Sequence, residues 1–126
     1  MAAGSHSSAP VNFGHLITTK LAPETHLLWR AQVVSLLRSN LLHGYVEGTF
    51  PSPSSIVTTT KEDSTPETQP NPAFAAWVQQ DQAILSAFLS SSTPAVGAMI
   101  MLAETSAQAW SIVGHTFAAQ SSAHSS

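Results

Sequence analysis

A stretch from Asn71 to Leu89 constrains the fold most, because it carries both a helix start signal and an apolar stripe. Asn71 can cap a helix through its side-chain oxygen, and Pro72 suits the first helical position, where no backbone N–H is missed. Large apolar side chains then recur at spacings of three and four: Phe74, Trp77, Val78, Ile84, Leu85 and Phe88. The pattern predicts one long amphipathic helix over roughly 72–91.

A carboxylate interrupts this stripe at its centre, where Asp81 stands in place of an apolar residue. An unpaired buried charge costs on the order of several kcal/mol, so Asp81 requires a partner. A second helix, predicted over roughly 23–42, carries Arg30 inside its own apolar arc. We predict that Arg30 and Asp81 form a buried pair between the two helices. The alternative is that Arg30 extends to solvent while Asp81 bonds to backbone or water.

The remaining elements also read as helices, so the predicted fold class is all-α, a small bundle of about four helices. Besides 23–42 and 72–91, proline start signals and apolar spacing predict helices over 94–103 and 106–120. Thr105 and Gln108 form a candidate capping box, and Gly44 is expected to end the first helix in a left-handed conformation. The predicted core aromatics are Trp29, Tyr45, Phe74, Trp77, Phe88, Trp110 and Phe117.

One domain accounts for the chain, which has 126 residues. Residues 1–12 are small and polar and predict a disordered leader, with a single helical domain over 13–122 and a disordered tail over 123–126. Residues 51–70 hold four prolines and many Ser and Thr residues. They predict a long, mobile, Pro/Ser/Thr-rich loop inside the domain.

Composition excludes several classes of function. Charged residues make up 9% of the chain, against an ordinary ~25%, and only four are basic. That number is too small for a basic stripe, so direct nucleic-acid binding is not expected. The chain has no cysteine, and it shows no signal peptide and no apolar run long enough for a membrane span. We expect a cytoplasmic protein without a membrane partner.

The sequence offers no catalytic, metal or cofactor site, so we expect no enzyme. It has six histidines, namely His6, His15, His26, His43, His115 and His124. None is spaced four residues from another, and each is interpreted as a surface or boundary residue. No glycine-rich phosphate loop and no nucleophile elbow occurs. Asp81 is the one acid in an unusual setting, and a lone acid on an apolar face is more typical of a structural partner than of a catalyst.

A series of short motifs covers about 13–122 in a fixed order. They are LLWRAQV at 27–33, LHGYVEG at 42–48, NP at 71–72, LSAFLSSSTP at 85–94, TSAQAW at 105–110 and FAAQS at 117–121. In order and spacing they resemble the opening of plant Copia-type (Ty1/copia) retrotransposon Gag polyproteins. The resemblance implies a capsid-like N-terminal segment that is helical, self-associates and has no enzymatic role.

The chain also departs from that family. Thr25-His26 stands where the family carries an Asn with an aromatic residue, and no basic helix follows the FAAQS motif. The later capsid helices and the zinc knuckle that contacts RNA are absent, which indicates a truncated Gag. The expected partners are therefore other copies of this chain or other Gag-like chains. The alternatives are a host-coopted interaction module or dominant interferer that binds intact Gag, and a remnant without function.

Overall fold

The computed structural model describes the backbone of residues 9–125 and the side chains of residues 9–118. Within that range the chain forms five α-helices and one two-stranded antiparallel hairpin. The helices are α1 (His26–Ser39), α2 (His43–Glu47), α3 (Pro72–Ser90), α4 (Pro94–Ile100) and α5 (Ser106–Ser125). The strands are β1 (Ile56–Thr60) and β2 (Pro66–Pro70). The fold is mostly helical, and the hairpin corrects the prediction of a purely all-α class.

The central helix α3 begins as its local signal predicts and ends on a block of serines. The Asn71 side chain accepts a hydrogen bond from the Ala73 N–H at 3.1 Å, and Pro72 is the first helical residue. At the other end the Ser91 hydroxyl donates to the Ala87 carbonyl at 2.7 Å. The Ser92 hydroxyl donates to the carbonyl of Phe88 at the same distance. The Ser92 hydroxyl thus satisfies a carbonyl group near the end of the helix, and the Ser91 hydroxyl adds to the backbone bond that the Ala87 carbonyl already accepts from the Ser91 N–H at 3.1 Å.

The helix predicted over 23–42 is divided into three parts. Pro23–Thr25 is a 3-10 turn, and α1 ends at Ser39, just before Leu41 takes a φ of 59°. Gly44 was expected to be the left-handed residue, but it lies inside α2, and Gly48, with a φ of 84°, ends that helix instead. A different constraint acts on Gly44. A Cβ there would lie 3.0 Å from the Thr49 hydroxyl oxygen, so a larger residue would have to displace this side chain by a few tenths of an ångström.

Residues 56–70 of the segment 51–70 form a hairpin and not the irregular loop that its prolines suggested. β1 pairs with β2 in antiparallel register, from Ile56 opposite Pro70 to Thr60 opposite Pro66. β1 is a run of β-branched residues, which favour strands, and both prolines occupy end positions, where a missing N–H costs little. Strand propensity therefore overrides the disorder expected from composition. Nearly all hairpin side chains are exposed.

The core lies between the five α-helices and the segment that precedes α1. Four of the predicted core aromatics are buried there, namely Trp29, Tyr45, Phe88 and Phe117. The other three, Phe74, Trp77 and Trp110, are only half-buried. Phe13, which was not among the predicted core aromatics, is 1% exposed.

The segment that precedes α1 is held against α3 and the start of α4. The side-chain amide of Gln80 accepts a hydrogen bond from the Val11 N–H at 2.8 Å and donates one to the Val11 carbonyl at 3.0 Å. Further along, Leu21 forms a parallel bridge with Ser92. The predicted disordered leader therefore cannot extend to residue 12, and its residues 1–8 lie outside the described range. At the other end α5 continues to Ser125, although the tail was predicted to be disordered from 123; Ser126 lies outside the described range.

Candidate functional site

Asp81 bonds to the first residue of α5. The Ser106 N–H donates to both carboxylate oxygens at 3.2 Å, and the Ser106 hydroxyl donates to Oδ1 at 2.5 Å. Asp81 is 1% exposed and Ser106 is fully buried. A carboxylate at a helix N-terminus satisfies free N–H groups and interacts favourably with the helix dipole. Asp81 thus acts as a cap for α5 that is supplied by a different helix.

The predicted ion pair between Arg30 and Asp81 is not present among the described residues. Arg30 is exposed, and its guanidinium carbon lies 5.6 Å from the centre of the Trp110 ring, as in a cation–π contact. Asp81 accepts hydrogen bonds instead from the backbone N–H and the hydroxyl of Ser106. Neither group carries a formal charge, so matching opposite charges could not predict this contact. The arrangement agrees with the alternative interpretation, in which Arg30 extends to solvent and Asp81 bonds to backbone.

The predicted capping box at the start of α5 is half right. The Thr105 hydroxyl accepts a hydrogen bond from the Gln108 N–H at 3.1 Å, as expected. The Gln108 side chain, however, accepts from the N–H of Glu104 at 2.7 Å and not from that of Thr105. The side chains of Asp81, Thr105 and Gln108 thus each accept a hydrogen bond from a backbone N–H at the start of α5.

Three aromatic side chains form a cluster near Asp81. Tyr45 stacks on Trp77, with ring centres 5.4 Å apart, and meets Phe50 edge-on at 5.1 Å. The Trp77 indole N–H donates to the Phe50 carbonyl at 3.0 Å. Burial raises the pKa of Tyr45 above its usual value, and the negative charge of Asp81 adds to that shift. This group fastens the chain after α2 to the first half of α3.

A cleft of about 320 Å³ lies between α1 and α5. Two tryptophans, Trp29 and Trp110, contribute its aromatic walls, and their ring centres are 5.8 Å apart. Nitrogen-bearing side chains at the cleft come from His26, Arg30 and His115. The lining includes no aspartate and no glutamate. The described surface of the cleft is therefore apolar and aromatic, with positive charge from Arg30.

His26 is the buried polar group of this cleft. It is 8% exposed and stacks on Phe117 at 4.9 Å between ring centres, yet its Nε2 atom has no hydrogen-bond partner among the described residues. Burial lowers the pKa of His26 below its ordinary value, and the positive charge of Arg30 lowers it further. The prediction that every histidine is a surface or boundary residue is therefore wrong for His26. The spacing of His26, Trp29 and Val33 along one face of α1 was the signal that this prediction overlooked.

The other histidines have ordinary settings where the structure describes them. His115 is exposed, and its Nδ1 lies 2.9 Å from the Ser111 carbonyl oxygen. His43 lies 3.1 Å from Glu47 one turn along α2, and His15 is exposed. His6 and the side chain of His124 lie outside the described range. Among the residues that the structure describes, no three His, Asp or Glu side chains are grouped as a metal site would require.

Among the exposed large apolar side chains of the described residues, two groups are close neighbours along the chain. The α1 surface consists of Leu27 and Leu28, which are 67% and 64% exposed. The α4 surface consists of Met99, Met101 and Leu102, of which Leu102 is the most exposed at 82%. No helix among the described residues has the length and apolar content to cross a bilayer.

The described residues thus form a small, mostly helical domain with two apolar surfaces and one aromatic cleft. Over 106 residues the chain is 32% identical to the retrovirus-related Pol polyprotein from transposon RE2 of Arabidopsis thaliana, and 31% identical to that from transposon RE1. Each match covers 84% of this chain but only 7% of the relative. No family profile and no solved structure matches the chain. The similarity confirms the retrotransposon origin, of copia type, that the sequence motifs implied.

Proposed function

We propose that the chain is a non-enzymatic self-association module derived from the Gag region of a copia-type retrotransposon. The order of the motifs over 13–122 supports the Gag assignment within the longer polyproteins. The observation that carries the proposed activity is the pair of exposed apolar surfaces on α1 and α4. Large apolar patches on small soluble proteins mark sites of protein–protein contact.

Low charge supports the same proposal. Only 9% of the residues are charged, and the formal net charge is −3. Copies of the chain therefore repel each other weakly, so a modest apolar contact suffices to bring them together. Other Gag-like chains with the same motifs would present similar surfaces, and we propose them as partners alongside this chain itself.

The setting of Asp81 supports a non-enzymatic role. Both oxygens of this carboxylate accept hydrogen bonds from Ser106, and both residues are buried. A general acid or base needs access to the proton that it transfers, and a nucleophile needs access to substrate. The close contact between an acid and a serine is accordingly an internal support for α5.

Sedimentation velocity over a wide concentration range tests the proposal. We expect a reversible shift from monomer to dimer or larger species as the concentration rises. The double variants Leu27→Ser/Leu28→Ser and Met101→Ser/Leu102→Ser remove the two apolar surfaces, and at least one of them should abolish the shift. Ile56→Ser is the matched control, because this exposed side chain lies on β1 and outside the core.

A monomer at every concentration would refute self-association. Binding of that monomer to an intact Gag chain would then support the host-coopted interferer in its place. An Ile56→Ser variant that dissociates as readily as the two double variants would show that the assigned surfaces are wrong. Circular dichroism of each variant separates loss of association from loss of the fold.

A further inference from the structure

The cleft between α1 and α5 plays no part in the proposed self-association. Its volume of about 320 Å³ falls at the lower end of the ~300–1,000 Å³ range that ligand pockets occupy. It combines aromatic walls with a few nitrogen-bearing groups, and that combination is typical of sites for small organic molecules. Leu27 and Leu28 of the α1 surface do not line the cleft, so the two features are separate.

We propose that this cleft binds a small aromatic carboxylate, with its ring on the exposed part of Trp110 and its carboxylate at Arg30 and His26. The ring would lie against Val113 and Ala118 as well, which line the same cleft. The proposal is independent of the proposed function, because a monomer and an oligomer could both present the cleft.

The charge distribution selects an anion. Arg30 keeps its guanidinium within reach of solvent and of the cleft, and no acidic side chain lines the described wall. A guanidinium can donate two parallel hydrogen bonds to a carboxylate, which a neutral group of the same shape cannot match. The contact with Trp110 holds this guanidinium at the edge of the aromatic walls.

The unpartnered nitrogen of His26 is the second, independent indication. A buried polar atom without a hydrogen bond costs on the order of 1–3 kcal/mol, and native proteins usually satisfy it. Neutral His26 can carry its proton on Nε2, and a small rotation of its ring would bring this enclosed donor to a carboxylate oxygen in the cleft. A ligand that supplies this acceptor would remove the cost.

Size limits the ligand to a single ring with a short acidic chain. We therefore choose 3-phenylpropionate as the probe and 3-phenylpropanamide as its neutral counterpart of nearly equal shape. Nitrogen-15 NMR of the whole chain follows the binding through the two indole N–H signals of Trp29 and Trp110. We expect saturable shifts with 3-phenylpropionate and at least about tenfold weaker binding of the amide.

Two substitutions test the polar contacts. Arg30→Met should weaken binding of the carboxylate by about tenfold, while leaving the weak binding of the amide unchanged. Arg38→Met is the matched control, because Arg38 is an exposed arginine on the same helix that does not line the cleft. His26→Phe keeps an aromatic ring beside Phe117 but removes the nitrogen, and it should weaken the carboxylate severalfold.

A third substitution fills the cleft without disturbing the fold. Gly114 lines the cleft, and a Cβ built there meets no atom within 4 Å. Gly114→Leu should therefore abolish probe binding while the melting temperature holds or rises, because leucine favours a helix over glycine. Gly97→Leu is the control: Gly97 is also a helical glycine with open space around its Cβ, but it lies on α4 and outside the cleft.

Three results would overturn the proposal. The first is the absence of saturable shifts at millimolar 3-phenylpropionate. The second is equal binding of the acid and the amide, which would indicate an apolar cavity without an anion site. The third is an equal loss of binding in Arg38→Met and Arg30→Met, or in Gly97→Leu and Gly114→Leu, which would place the interaction elsewhere. None of these results bears on self-association, so the two proposals fail separately.

Discussion

Replacement of Asp81 by alanine provides the sharpest test of how α3 supports α5. The substitution leaves the N–H and the hydroxyl of Ser106 without an acceptor in a fully buried position. Hydrogen bonds to a charged group contribute about 1.5–3 kcal/mol each, so the two donors together represent up to about 6 kcal/mol. Removal of a buried carboxylate also recovers part of its desolvation cost. We therefore expect Asp81→Ala to lower the free energy of unfolding by about 3 kcal/mol.

The melting temperature measures this loss. A change of 1 kcal/mol shifts the melting temperature by roughly 3–4 °C in a domain of this size, so Asp81→Ala should lower it by about 10 °C. Asp81→Asn keeps one carbonyl acceptor and should lower it by about half as much. Glu62→Ala is the control, because Glu62 is an exposed acid in the hairpin turn, and its effect should stay within about 0.5 kcal/mol.

Double variants distinguish Ser106 from Arg30 as the partner. The losses in Asp81→Ala and Ser106→Ala should add up to more than the loss in the double variant, because each single change breaks the same contact. Arg30→Met should instead add independently to Asp81→Ala. A melting temperature for Asp81→Ala within about 2 °C of the parent chain would refute the reasoning. If Arg30→Met instead recovered the stability lost in Asp81→Ala, that result would support the Arg30–Asp81 pair.

Three further predictions concern single residues. Because burial lowers the pKa of His26, the unfolded chain binds a proton at this residue more readily than the folded chain. The contribution of His26 to the free energy of unfolding should therefore be complete above about pH 6.5 and decrease below it. In chemical denaturation at a series of pH values, His26→Phe should remove this decrease. Leu41 has a φ of 59° and is 91% exposed, so Leu41→Gly should stabilise the fold by about 0.5–1 kcal/mol. Gly48 has a φ of 84°, so Gly48→Ala should destabilise the fold by about 1 kcal/mol. A shift of the melting temperature in the same direction for both variants would contradict the backbone argument. Trp77→Phe removes the donor to the Phe50 carbonyl and should cost about 1 kcal/mol in the same assay, whereas no loss would show that this hydrogen bond is dispensable.

Local signals predicted the elements that depend on them. The Asn71 cap and Pro72 define the start of α3 in the sequence and in the structure, because both act within one helical turn. The run of β-branched residues at 56–60 is also a local signal, and it favours a strand. The prediction gave more weight to the prolines nearby and so missed the hairpin. Attention to where each proline falls within a strand would have found it.

Contacts between elements were harder to predict. The apolar stripe identified Asp81 as an anomaly, but a helical wheel gives only a direction and not the element that approaches from it. The actual partner, Ser106, carries no formal charge, so a search for opposite charges led to Arg30 instead. His26 was missed for a related reason: its burial depends on the packing of α5 across α1, and its own residue type suggests a surface.

The hairpin closes at its base, and this has a practical use. The Asn71 N–H donates to the Ser55 carbonyl at 3.0 Å, and the Asn71 side-chain amide donates to the Ser54 carbonyl at 2.7 Å. The two ends of the hairpin are therefore fastened together just before α3 begins. Extra sequence at the tip, between Lys61 and Thr65, would not change the separation of these ends. A foreign peptide or a fluorescent label inserted there should therefore leave the helices unaltered.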